Sequence, residues 1–68
     1  MHTHTKEFYS FRDAVTFILD GCSVGEHECY SVRPHDYNLD RFYVSDGIAV
    51  DFGVIRYVDD TYIATYNA

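Results

Sequence analysis

The sequence predicts an α+β domain in two layers, with one α-helix (about residues 10–20) packed on a three- to five-stranded antiparallel β-meander. Three observations predict it. Only one stretch has strong helical periodicity; residues 45–66 are almost unbroken β-favouring sequence with short turn signals; and 68 residues leave room for one domain. A chain this short buries only about 60% of the surface it exposes when unfolded, so its core must be thin.

Residues 1–9 are polar and then aromatic, without Gly or Pro, and read as a short edge strand. The isolated His2-Thr3-His4 lacks the run of imidazoles of an affinity tag and is taken as native and exposed. Ser10 and Asp13 have the spacing of a helix N-cap. Beyond them Phe11, Ala14, Val15, Ile18 and Leu19 form one apolar stripe, opposite Arg12, Asp13, Thr16 and Asp20. Phe17 flanks the stripe, as a boundary residue or as an aromatic able to meet a partner. Gly21, directly after Asp20, is expected to supply the left-handed helix stop.

Gly21 to Glu26 reads as a loop, and Glu28 to Arg33 as a strand with Tyr30 and Val32 on one face and Cys29, Ser31 and Arg33 on the other, ended by Pro34. Residues 35–38 connect it to a strand at Arg41-Phe42-Tyr43-Val44, with Phe42 and Val44 inward. Ser45-Asp46-Gly47 suits a tight hairpin. Ile48, Val50 and Phe52 continue the inward face, and Gly53 is expected to host a β-bulge. Without the bulge Arg56 would point into the core between Val54 and Val58, and an unpaired buried guanidinium is far costlier than a local irregularity. Asp59-Asp60 then turns the chain into Thr61 to Tyr66. One helix covers one face of this sheet. The other face should carry Tyr43, Asp51 and one alternating set from the last strand, either Tyr62, Ala64 and Tyr66 or Ile63 and Thr65.

Five Lys and Arg against eleven Asp and Glu give a net charge of −6 on a very small body, which argues against direct binding of nucleic acid phosphates. It favours basic surfaces, including those that other proteins use to hold nucleic acid. No apolar leader and no run near the ~20 residues of a membrane span is present, so a soluble, cytoplasmic protein is expected, with Cys22 and Cys29 as free thiols.

Cys22, His27, Cys29 and His35 are the soft-ligand cluster. Their number suits zinc, but their spacing lacks the paired knuckles of structural sites, so no metal or other cofactor is expected. No enzyme is expected either. Cys22 lies near the C-terminal end of the helix, where the dipole opposes a thiolate, and the chain is too small to enclose much of a pocket. The four glycines match no phosphate-binding loop.

Seven tyrosines among eleven acids suit protein recognition instead. A tyrosine ring buries a large area at the expense of two torsions, and a neighbouring carboxylate selects Arg or Lys, which can pair with the acid and stack on the ring. The partner-binding residues expected on this basis are Tyr43, Asp51, Tyr57, Asp59, Asp60, Tyr62, Tyr66 and Phe17. The leading expectation is a small acidic binding domain that docks on a basic surface of a larger protein or nucleoprotein complex and inhibits or modulates it. Small acidic inhibitors of phages and mobile elements, such as anti-CRISPR or anti-restriction proteins, have this general profile. The alternatives are a self-associating structural domain, for which a homodimer is the simplest form, and a metal-responsive regulator using the Cys/His set.

Overall fold

The computed structural model describes residues 2–24, 30–34, 40–47 and 51–68. Along the chain run β1 (Thr3–Phe8), α1 (Phe11–Gly21), β2 (Ser31–Pro34), β3 (Arg41–Ser45), β4 (Asp51–Val58) and β5 (Thr61–Asn67). All strand pairs are antiparallel, in the order β1-β5-β4-β3-β2, and α1 lies across one face. The fold is therefore the α+β arrangement of one helix on an antiparallel sheet. β2 to β5 form the meander, and β1 adds itself to the free side of β5, as the strand propensity of its threonines predicts. Backbone bonds of 2.9 Å between His2 and Ala68 close the far end of that ladder.

Ser10 caps α1, its hydroxyl accepting from the Asp13 amide at 3.4 Å. Ala14, Val15, Ile18 and Leu19 are buried, the inner part of the predicted stripe. The helix stop differs from the expectation. Gly21 is still helical, and the left-handed residue is Ser23 at φ +58°. The Ser23 amide donates to the Asp20 carbonyl and the Val24 amide to that of Leu19, the double closure of a Schellman turn. Gly21 is needed for space: a Cβ there would stand 2.0 Å from Cζ of Tyr66.

The buried core is the four helix residues on Val44, Ile55 and Ala64, one from each of the three inner strands. The expected bulge is present, one residue before Gly53. Val44 pairs with Gly53 but Ser45 with Asp51, which leaves Phe52 as the extra residue. Ile55 is consequently buried and Arg56 exposed. The β4–β5 turn is Asp59-Asp60, both at positive φ (+50° and +64°), the two-residue turn whose twist matches the flanking strands. Pro34 is the last residue of β2 and is tolerated because β2 is an edge strand. The readings at His27, Cys29, His35, Ile48 and Val50 lie outside the described residues.

Candidate docking site

Side chains alternate across the sheet, so the pairing register assigns every described strand residue to a face. Ala64, Ile55 and Val44 face the helix, and with them Phe8, Tyr62, Tyr66, Tyr57, Phe42 and Val32. The uncovered face carries Thr3, Thr5 and Glu7 from β1, Ile63 and Thr65 from β5, Val54, Arg56 and Val58 from β4, Arg41 and Tyr43 from β3, and Arg33 from β2. Of the two sets considered for the last strand, Ile63 and Thr65 face outward.

The uncovered face is thus not the acidic, ring-bearing platform that the composition suggests. Three of the five basic residues of the chain, Arg33, Arg41 and Arg56, lie on it. Tyr43 and Asp51 are placed beside each other there, but the chain's own Arg33 engages both. Its guanidinium lies 4.5 Å from the centre of the Tyr43 ring and 3.7 Å from an Asp51 carboxylate oxygen.

The other predicted residues lie on the helix side. Tyr66 and Phe17 pack edge to face, with centroids 5.1 Å apart, and Phe17 also meets Phe8. Phe17 is half-buried, a boundary residue. Tyr57, Tyr62, Asp59 and Asp60 come together at the opposite end of the helix. There Asp40, Phe42, Tyr57 and Tyr62 line a cleft of about 360 Å³. Its aromatic walls are tied to one another: Tyr57 and Tyr62 are 5.0 Å apart, and Phe11 of α1 sets its edge against both Phe42 and Tyr62 at 5.4 Å. Tyr57 is 41% exposed, and its hydroxyl donates to Asp60 Oδ1 at 3.0 Å. The Tyr57 amide donates to the Asp40 carbonyl at 2.8 Å, which holds Asp40 at the mouth.

Sequence reading missed Asp40 and Phe42. Asp40 lies one residue before β3 and looks like loop polarity, while Phe42 reads as plain core. The signal that could have found them was the pairing of the β3 start with the β4 end, which brings residue 42 opposite 55 and residue 40 close to 57.

The hydrogen bond to Asp60 is the main reason that the Tyr57 phenol is pushed above the usual tyrosine range, followed by the Asp60 charge, desolvation and the charge on ionised Tyr62. The folded state therefore favours neutral Tyr57. That contribution is present below the ordinary tyrosine value and is lost as pH rises through the higher folded one. In an absorbance titration, subtracting a Tyr57→Phe variant should reveal one late-ionising phenol. Asp60→Asn, which keeps a residue tolerant of positive φ, should shift that phenol back down; an unchanged titration would count against the contact.

At the other end, Cys22 is half-buried, its thiol donating to the Phe52 carbonyl at 3.4 Å, and burial pushes its pKa up. A thiol held this way is protonated and packed rather than a nucleophile. His27, Cys29 and His35 lie outside the described residues, and among the described residues no three metal-ligating side chains gather. No helix of the described residues is long and apolar enough to cross a membrane. No protein-family model, curated protein or solved structure matches this chain.

Proposed function

We propose that the protein is a small acidic binding domain whose cleft at Asp40, Phe42, Tyr57 and Tyr62 receives an Arg or Lys side chain from a basic surface of a larger protein or nucleoprotein complex. The single observation that carries this reading is the juxtaposition of three ring walls with Asp40 in the lining of one cleft, and Asp60 bonded to the hydroxyl of one of those rings. A cation in such a place gains from the ring faces and from the acids together. The chain supplies its own example of the chemistry, since Arg33 sits on Tyr43 and Asp51 in the same combination. The net charge of −6 adds long-range attraction toward a basic partner.

Docking of this kind blocks or modulates whatever the basic surface otherwise holds, and an inhibitor carried by a phage or mobile element is the form that best fits the size and charge. Affinity capture from a host lysate tests it. A partner should be retained at low salt, released at high salt, and lost with Asp40→Asn/Asp60→Asn at low salt. Retention that ignores both salt and the double variant would contradict the reading.

A further inference from the structure

The uncovered face of the sheet lies on the opposite side from the cleft, so what it does is independent of it. We propose that it packs against the same face of a second copy of this chain, giving four layers with the helices outside.

The residues of this face repeat in rows across the strands. One row reads Glu7, Ile63, Arg56, Arg41 on β1, β5, β4 and β3, and the next reads Thr5, Thr65, Val54, Tyr43. A two-fold axis parallel to the strands, between β5 and β4, places β1 over β3 of the partner and β5 over β4. Each row then meets itself reversed. Glu7 falls over Arg41, Ile63 over the aliphatic stem of Arg56, Thr65 over Val54 and Thr5 over Tyr43, and each pair occurs twice. The pairing is self-complementary in charge at Glu7 and Arg41, as a two-fold interface requires.

The isolated chain leaves this charge unanswered. Arg41 and Arg56 are directly opposite each other on neighbouring strands, where like charges are unfavourable, and neither forms an ion pair among the described residues. A Glu7 carboxylate from the second copy, standing over the Arg41 guanidinium, offsets this repulsion. Val54 and Ile63 are half-buried in the middle of the face, and Val58 at its hairpin end, where two antiparallel sheets packed within about 30° of each other would cover the first two.

The four overlapping strands at about 4.8 Å spacing, over six or so residues at about 3.3 Å, offer roughly 400 Å² from each copy, with β2 left outside the overlap. The total of about 800 Å² is below the standard size of a specific interface, so the dimer should be weak and transient, forming only toward the millimolar range.

Sedimentation equilibrium over a wide concentration range tests this. The mass should rise from 7.9 kDa toward twice that value. Ile63→Lys should stay monomeric at every concentration with an unchanged circular dichroism spectrum, because residue 63 lies outside the core. Glu7→Arg should weaken association by about tenfold or more by opposing Arg41, and adding Arg41→Glu should restore part of the loss. A wild-type chain that stays monomeric throughout overturns the proposal, as does a dimer indifferent to Ile63→Lys or a charge reversal without rescue.

Discussion

Gly53→Ala should lower the melting temperature by about 5–25 °C, corresponding to the ~1–3 kcal/mol of overpacking a tight core at about 4–8 °C per kcal/mol in a domain of this size. The new Cβ would stand 2.5 Å from the Thr65 carbonyl oxygen and 2.9 Å from Cγ2 of Ile18. The first neighbour is backbone of the adjacent strand and the second is a fully buried side chain, so neither can swing aside. Relief requires the helix to lift from the sheet or β4 and β5 to part. The demand at this position is for space, since Gly53 is not among the residues at positive φ. A thermal melt followed by circular dichroism checks it, and a shift of only a degree or two would mean that the helix does not approach β4 this closely.

Ile18→Ala should be comparably severe. Ile18 is wholly buried at the centre of the helix stripe and packs against Gly53, next to the bulge. Removing its side chain opens a cavity costing about 2–5 kcal/mol, against a total of roughly 3–10 kcal/mol for a chain of this length. The urea midpoint should fall by roughly half, and close to zero at the lower end of that stability range. The matching truncation on the uncovered face, Ile63→Ala, should move the midpoint little in dilute solution. Equal effects at the two positions would mean that the sheet is covered on both sides.

The fold was largely legible in the sequence because its determinants are local. The Ser10 cap, the helix stripe, the Asp59-Asp60 turn and the conflict at Arg56 that demands a bulge each involve residues near one another in the chain. The helix stop was misread because Gly21 looks like a left-handed terminator. Its lack of a side chain instead makes room for Tyr66, 45 positions later. The candidate site was harder to read for the same reason. Which tyrosines face outward depends on register, and the bulge at Phe52 sets the register of everything after it. Composition correctly suggested rings beside carboxylates. It could not say that Tyr43 and Asp51 would be occupied by Arg33, or that a face of an acidic protein would gather three arginines.

The ring-walled cleft is proposed to accept a cation. A nuclear magnetic resonance titration with a short arginine-rich peptide, below the concentration at which copies associate, tests this most directly. The ring signals of Phe42, Tyr57 and Tyr62 should move together and saturate, while those of Tyr43 and Tyr66 stay in place, and added salt should reverse the change. Shifts spread evenly over the acidic surface, or none at these three rings, would contradict it.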